Sequence, residues 1–340
     1  MTITVGFAGL GSMGAGQAHG FAGLDAEVVA GADPSAAARE KFTDEFGARV
    51  YEDVGSMLAS EELDALNVTT PHTLHHEHVR AALEAGMHVH VEKPMVTDVG
   101  EATDLVELAD ERELVLQVGY QRHHDPRYRE VKRFVDSGRL GTIHAASCYL
   151  EQAWRRVATD SWRENPDLSG GGQLYDSGSH LLDALLWVLD AEPRRVAAVL
   201  DDRGMDVDVN SALAVQLETG SGPVTASVGI TGEGSSTPHV GEHLAIFGTE
   251  GSIRFDRERV TVTVEDEVGY SATFDEVDDG ATQRRKLGNF LDAIRGEADP
   301  AVPGVYGRRV IALTEAAYQA AETGRTVDVA ELVAEPKPTV

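Results

Sequence analysis

Short apolar runs alternate with helical patterns over the first 120 residues of the chain. The runs at 2–9, 27–32, 65–70, 88–91 and 113–119 have the length and composition of buried strands. Helical patterns follow: one ends near residue 24, one opens at Asp33-Pro34, and two others end near residues 86 and 112. Because strands that alternate with helices form parallel sheets, this pattern predicts an α/β domain with a doubly wound parallel sheet over 1–120.

The pattern changes after residue 121. A helix follows Asp125-Pro126 and ends near residue 138, a strand covers 143–150, and a polar loop covers 151–169. Seven further strands are predicted at 194–200, 211–217, 224–230, 243–247, 252–255, 260–264 and 271–274. Such a run predicts an α+β domain over 121–330 with a mostly antiparallel open sheet, one face covered by helices and the other free.

Two helical patterns, at about 285–295 and 305–323, close the second domain. The last of these helices could pack back on the first domain. We expect a tail at 331–340 that is disordered from residue 335.

The charge balance narrows the possible partners. The 340 residues include 57 acidic and 29 basic side chains, a net charge of −28, and only five of the basic residues are lysine. This surface repels phosphates and anionic lipids, so neither nucleic acid nor a membrane is an expected partner. No apolar stretch of about 18 residues occurs, no signal peptide is recognisable, and Cys148 is the single cysteine. We therefore expect a cytoplasmic protein without an internal disulfide.

A glycine-rich turn separates the first strand from the first helix. Gly9, Gly11 and Gly14 have the G-x-G-x-x-G spacing of dinucleotide-binding turns. The backbone of Ser12 and Met13 would then meet a phosphate at the helix N-terminus, where partial positive charge accumulates. Many unrelated turns share this spacing, so the prediction needs support from the next strand.

Asp33 provides that support, because it ends the second strand 33 − 14 = 19 residues after Gly14. A carboxylate at this distance accepts hydrogen bonds from the ribose hydroxyls of the adenosine. An N-cap of the following helix is an alternative role, and both roles can hold together. A carboxylate here disfavours a 2′-phosphate, and the nearest arginine is Arg39. The expected cofactor is therefore NAD, with NADP less favoured.

Polar residues also follow the other strands of the first domain. Ligands of doubly wound sheets bind beyond the carboxyl ends of the strands. We therefore expect a cofactor site that includes Thr70, Pro71, Glu92, Lys93 and Gln121.

The stretch 170–183, GGGQLYDSGSHLLD, places a carboxylate and an imidazole four residues apart. If 175–189 is a helix, Asp176 and His180 lie on one face about one turn apart. A carboxylate beside an imidazole can perform acid–base chemistry. The alternative is an acidic first turn and a core histidine.

A cluster of histidines raises the question of a metal. The cluster consists of His72, His75, His76 and His78. No cysteine is near, Glu77 is the nearest acid, and no third ligand shares a face with the pair at 72 and 76. We therefore predict no metal site.

Together these motifs resemble the Gfo/Idh/MocA family, the group of glucose–fructose oxidoreductase and inositol dehydrogenase. The resemblance rests on GLGSMG at 9–14, Asp33, TP with His75, EKP at 92–94, GGGQLYDSGSH at 170–180, IFGTEGSIRF at 246–255 and TGRTVDV at 323–329. It covers nearly the whole chain. His72 departs from the asparagine that often follows TP in the family, and Met87 departs from a frequent lysine.

The resemblance implies a Rossmann domain, a second domain whose open sheet makes a homodimer or homotetramer, and NAD(P)-dependent chemistry on a sugar, cyclitol, related polyol or sugar acid. It implies that His75 belongs to the cofactor site and that Lys93 lies between cofactor and substrate. Asp176 would orient the substrate, and His180 would take the hydroxyl proton. Trp162 and Arg163 could wall the substrate; for Trp162 a core position is the alternative.

Two other functions stay open at this point. Some members of the family retain NAD and act as glycosidases by oxidation and elimination. A non-catalytic NAD(P)-sensing regulator could use the same fold, although such a protein need not keep Lys93, Asp176 and His180.

The net charge of −28 leads to the first prediction, which is that the protein is adapted to a salty cytoplasm. Raising KCl from about 0.1 M to about 2 M shortens the Debye length from roughly 10 Å to below 3 Å and screens the repulsion among the acidic side chains. We expect a higher apparent Tm at the higher salt concentration, measured by circular dichroism. A Tm that is no higher in the concentrated salt would contradict the adaptation.

Overall fold

The computed structural model describes residues 2–234, 241–256, 258–264, 267–274 and 277–334. Contacts divide the chain into two compact units. The first contains 2–96, 101–121 and 278–308, and the second contains the described residues of 97–100, 122–277 and 309–334.

The first unit is a six-stranded sheet with helices between its strands. The elements up to residue 118 are β1 (Ile3–Ala8), α1 (Ser12–Ala22), β2 (Ala26–Ala32), α2 (Ala36–Phe46), β3 (Arg49–Tyr51), α3 (Val54–Ser60), β4 (Ala65–Val68), α4 (His75–Glu84), β5 (His88–Val91), α5 (Val99–Glu111) and β6 (Leu116–Val118). The order is β3-β2-β1-β4-β5-β6, and every neighbouring pair is parallel. The predicted doubly wound Rossmann sheet is confirmed.

The core of this unit also contains a helix from late in the chain, α10 (Asp279–Ile294). Leu287, Phe290 and Leu291 are buried in one cluster with Phe7 and Phe21. The rings of Phe21 and Phe290 meet edge to face, with centroids 6.3 Å apart. The expectation that all of 121–330 forms the second domain therefore needs correction, because these apolar side chains of α10 complete the core of the first unit.

The second unit is built on a nine-stranded sheet. Its elements up to residue 273 are α6 (Pro126–Asp136), β7 (Ile143–Glu151), α7 (Trp154–Ala158), α8 (Pro166–Ser169), α9 (Ser179–Leu189), β8 (Glu192–Asp201), β9 (Asn210–Thr219), β10 (Gly222–Thr231), β11 (Gly241–Gly248), β12 (Gly251–Phe255), β13 (Arg259–Val264) and β14 (Glu267–Thr273). The last elements of the chain are α11 (Gly304–Thr323), which begins among residues of the first unit, β15 (Val327–Asp328) and α12 (Val329–Ala334).

The order in this sheet is β14-β13-β12-β11-β7-β10-β9-β8-β15. Only the central pair β7 and β10 is parallel among the described strand pairs. The mostly antiparallel open sheet is thus confirmed. Its strands alternate in burial: along β9, Leu213, Val215 and Leu217 are buried, whereas Ala212 and Ala214 are exposed. This alternation leaves one face of the sheet exposed within the chain.

The structure refines two expectations. The polar loop at 151–169 contains α7, α8 and a 3₁₀ turn at Trp162–Glu164. The helix expected at 175–189 begins as a π-helical turn, Leu174–Gly178, and becomes α-helical from Ser179. The expected disordered end, 335–340, lies outside the described residues. No helix in the described ranges combines the length and apolar character needed to cross a membrane.

Candidate functional site

The glycine turn after β1 is closed on one side and open on the other. Gly9 has φ +90°, and a Cβ on it would lie 2.9 Å from the carbonyl carbon of Thr69. A Cβ on Gly14 would lie 2.1 Å from the carbonyl oxygen of Gly9. Both positions therefore require glycine. In contrast, among the described residues and apart from its own neighbours along the chain, no atom lies within 4 Å of a Cβ built on Gly11, the N-cap of α1. The turn thus leaves open space beside the N-terminus of a helix, which is what a bound diphosphate requires.

Asp33 ties this turn to the end of β2. Its Oδ2 accepts the Leu10 N–H at 2.9 Å, and its Oδ1 accepts the Ser35 N–H at 2.8 Å. Arg39 donates to the carbonyl oxygens of Asp33 at 2.7 Å and Pro34 at 3.0 Å. The carboxylate is therefore held in place beside the glycine turn, and the Arg39 guanidinium binds the backbone that follows β2.

The residues after β4 and β5 are linked by a buried histidine. His75 is fully buried, and its two ring nitrogens each lie 2.8 Å from a carbonyl oxygen, that of Thr70 and that of Pro94. Burial lowers the pKa of His75, and the two carbonyl oxygens oppose that shift. His75 therefore connects the TP turn to the EKP turn.

Glu92 and Lys93 follow β5 directly. Glu92 is buried, and its Oε2 accepts the Lys93 backbone N–H at 3.1 Å. The Lys93 side chain is half-buried. The exposed residues Ser12, Met13 and Gln121 begin α1 and a 3₁₀ turn. All of these positions follow the carboxyl ends of strands in the first unit.

In the second unit, a buried carboxylate anchors the glycine loop that precedes α9. Asp208 accepts the N–H of Gly172 at 2.8 Å and of Leu174 at 2.9 Å, and it also accepts the Tyr318 hydroxyl. Burial raises the pKa of Asp208, and these donors oppose the rise. The backbone at the start of the π-helical turn is therefore held by a residue 36 positions away from Gly172.

Asp176 lies in the π-helical turn and is only 6% exposed. Its Oδ2 accepts the indole N–H of Trp154 at 2.8 Å and the Nε–H of Arg163 at 2.9 Å. Two donors on one oxygen orient the carboxylate. The Arg163 guanidinium also lies 4.5 Å from the ring centroid of Trp162.

His180 is the second residue of α9 and is half-buried. Because Leu174–Gly178 is wider than an α-helical turn, the expected one-turn spacing of Asp176 and His180 does not follow from their separation of four residues. Trp162 is half-buried rather than a core residue. Asp176, His180, Trp162 and Arg163 belong to the second unit, whereas Lys93 belongs to the first.

Sequence reasoning missed two residues of this site. Trp154 and Asp208 hold the carboxylate and the glycine loop, yet neither belongs to a recognisable spacing motif. In the sequence, Trp154 is noticeable only as a tryptophan in a polar loop, and Asp208 only as an acidic residue before a predicted strand.

The histidines of this cluster interact with different residues. His76 lies 2.9 Å from Asp104, and Nδ1 of His78 lies 3.1 Å from the Thr70 hydroxyl. Across the described part of the chain, no group of three or more His, Cys, Asp and Glu side chains is arranged to hold a metal ion.

Comparison with known proteins adds the following. Residues 3–120 match the family model described as the oxidoreductase family with an NAD-binding Rossmann fold. Residues 128–254 match the GFO/IDH/MocA C-terminal domain.

Two curated relatives align with most of the chain. D-xylose 1-dehydrogenase [NADP(+)] of Haloarcula marismortui is 27% identical over 82% of this chain and 78% of its own length. Inositol 2-dehydrogenase of Rhizobium meliloti is 26% identical over 97% of this chain and 100% of its own length.

Among solved structures, levoglucosan dehydrogenase in complex with NADH and levoglucosan superposes with a TM-score of 0.86. It covers 97% of this chain and 100% of its own, at 22% identity. This likeness concerns the fold.

The Asp208 anchor generates the second prediction. A Cβ at position 172 would lie 1.9 Å from the Asp208 carbonyl oxygen, so Gly172→Ala must displace the glycine loop or the segment that precedes β9. We expect a destabilisation of about 1–3 kcal/mol or more, seen as a lower apparent Tm. The matched control is Gly220→Ala, where no described residue other than the two chain neighbours has an atom within 4 Å of the added Cβ. Equal Tm values for the two variants would contradict the close packing of Gly172 against the Asp208 backbone.

Proposed function

The chain belongs to the GFO/IDH/MocA family of NAD(P)-dependent oxidoreductases, and we propose that it oxidises or reduces a sugar, cyclitol, related polyol or sugar acid. The observation that carries the proposal is the glycine turn held by Asp33 through the Leu10 amide, with open space at Gly11. The buried, doubly held carboxylate of Asp176 supports a polyhydroxylated substrate, because hydroxyl groups donate well to carboxylates.

The residues at the strand ends fit a dinucleotide. Gly9, Gly11, Ser12, Met13 and Gly14 would hold the diphosphate. Asp33 would accept from the adenosine ribose. The remaining contacts would come from Thr70, Pro71, Lys93 and Gln121, while the buried side chains of His75 and Glu92 would hold the turns that carry them. When bound, the nicotinamide accepts or returns a hydride at the substrate carbon.

Three side chains are assigned to the reacting hydroxyl. His180 takes the hydroxyl proton during oxidation and returns it during reduction, because a neutral imidazole is a competent base near pH 7. The Lys93 ammonium donates to the same oxygen and stabilises the negative charge that develops there. Asp176 accepts from a neighbouring hydroxyl and orients the sugar ring. Trp162 and Arg163 form a wall of the substrate pocket.

NAD is the cofactor we propose, because the Asp33 carboxylate disfavours a 2′-phosphate. Arg39 lies beside Asp33 and would attract such a phosphate, and the haloarchaeal relative is named as an NADP enzyme. Both cofactors therefore belong in the assay.

The exposed face of the second sheet supports a homodimer or homotetramer. Tyr149 on β7 is 41% exposed and Val199 on β8 is 71% exposed. Exposed apolar side chains on an open sheet face are typical of contacts between subunits. The net charge of −28 supports a protein that works in a salty cytoplasm.

The third prediction tests the function itself. The protein, in about 2 M KCl to screen its surface charge, is incubated with NAD or NADP and a panel of sugars, cyclitols and sugar acids. Formation of reduced cofactor is followed by absorbance. We expect one substrate class to give turnover, with NAD preferred over NADP.

A flat trace across the panel with NAD still bound would contradict the proposed dehydrogenase. Release of an aglycone from glycosides without net reduction of NAD would then identify the retained-cofactor glycosidase. Absence of both reactions would favour the regulator.

The fourth prediction concerns His180→Ala. Loss of the base should lower kcat by about 10²–10⁴-fold, while the NAD Kd changes by less than about twofold. The control is His19→Ala, which removes an imidazole whose side chain is 60% exposed. Unchanged turnover in His180→Ala would exclude the acid–base assignment.

A further inference from the structure

One lysine of this lysine-poor chain lies inside the first unit. Lys286 is 2% exposed, although its neighbours Arg284 and Arg285 on α10 are exposed. Lysine is almost never fully buried unless its charge is paired, because an ammonium loses its hydration there. No motif of the sequence includes this residue.

The Lys286 ammonium joins the ends of two strands. Its Nζ donates to Oε1 of Glu92 at 2.7 Å, directly after β5, and to the carbonyl oxygen of Gly119 at 3.3 Å, directly after β6. Gln17 of α1 donates to the same Oε1 at 2.5 Å. A Cβ on Gly119 would lie 2.7 Å from that oxygen, so the approach of the two strand ends requires glycine.

These contacts keep the Glu92 carboxylate charged. Burial by itself would raise the pKa of Glu92, but Lys286, His90 and Lys93 outweigh burial and lower it to about 2. The other carboxylate oxygen, Oε2, accepts the Lys93 backbone N–H. The carboxylate thus links an interior cation to the backbone of the proposed catalytic lysine.

We propose that Lys286 is a positioning residue for Lys93. Its ammonium pairs with Glu92 inside the protein, and the paired carboxylate holds the Lys93 backbone. The inference rests on the proposed function, in which that side chain donates to the reacting oxygen.

Removal of the interior cation has two possible consequences for Glu92. The carboxylate either takes up a proton or pairs with the Lys93 ammonium, the next cation along the chain. Protonation leaves the Lys93 ammonium available to the substrate, whereas pairing withdraws it from the substrate oxygen. Pairing therefore slows the reaction without removing any group that touches the substrate.

The fifth prediction compares three variants with the wild-type protein. Lys286→Met removes the cation, Glu92→Gln/Lys286→Met removes both charges, and Lys41→Met removes an exposed lysine of the same unit as a control. In the double variant the Gln17 amide can turn to accept from Gln at position 92, because no described atom bonds its Oε1. The measurements are kcat against pH, KM, the apparent Tm, and the NAD Kd by calorimetry.

We expect Lys286→Met to lower kcat by about 10- to 100-fold, as small displacements of reacting groups do. The kcat of Lys286→Met should change with pH as Glu92 ionises, because only this variant keeps the Glu92 carboxyl group without its cation. The pH profiles of the wild-type and double-variant proteins should lack this ionisation. The double variant should recover most of kcat and fold stably, since a neutral replacement of a buried ion pair is tolerated. The NAD Kd should rise by several-fold in Lys286→Met and return toward the wild-type value in the double variant.

Two results would overturn the role of Lys286. The first is a Lys286→Met variant that matches Lys41→Met in kcat, pH profile and NAD Kd. The second is a folded double variant that is as slow as Lys286→Met. If Lys286→Met does not fold, the corresponding result is a folded double variant that is at least tenfold slower than the wild-type protein. A wild-type protein that is inactive on the whole panel refutes the proposed function instead, so the two failures are distinguishable.

Discussion

Carboxylates that accept backbone N–H groups hold three motif loops of this chain. Asp33 accepts from Leu10 at the glycine turn, Glu92 accepts from Lys93 after β5, and Asp208 accepts from Gly172 and Leu174 before α9. Loops cannot satisfy their amides through helix or sheet ladders, and an ionised acceptor forms the stronger kind of hydrogen bond. Acidic side chains therefore stabilise loops by accepting their backbone N–H groups, in addition to giving the surface its negative charge.

These acceptors differ in how their charge is compensated. Glu92 has the Lys286 ammonium at 2.7 Å, whereas Asp208 has backbone amides and the Tyr318 hydroxyl as its described donors. Accordingly the pKa of Glu92 falls to about 2, while burial raises the pKa of Asp208. An ammonium offsets the loss of hydration of a buried carboxylate more fully than neutral donors do. This difference explains why a chain with five lysines places one in the core of its first unit.

The sequence predicted most of the secondary structure, because apolar periodicity reports burial of one strand or helix at a time. All five strands predicted in the first 120 residues and all seven predicted after residue 190 are present. The short strand β3 and the helix α3 were missed, since three and seven residues carry little periodic signal. The π-helical turn at Leu174–Gly178 was also missed, because the glycine loop before it is anchored by Asp208, which no local pattern connects to it.

The sequence by itself determined the types of element, the glycine turn with its acid, and the motifs that indicated the family, since each is a property of neighbouring residues. The tertiary structure decided which distant side chains complete the site. Trp154 and Asp176 are 22 residues apart, Gly172 and Asp208 are 36 apart, and Lys286 and Glu92 are 194 apart. In the sequence of α10, nothing distinguishes Lys286 from the basic side chains of the arginines beside it. Only the packing of that helix against the first sheet buries one cation and requires it to find a carboxylate.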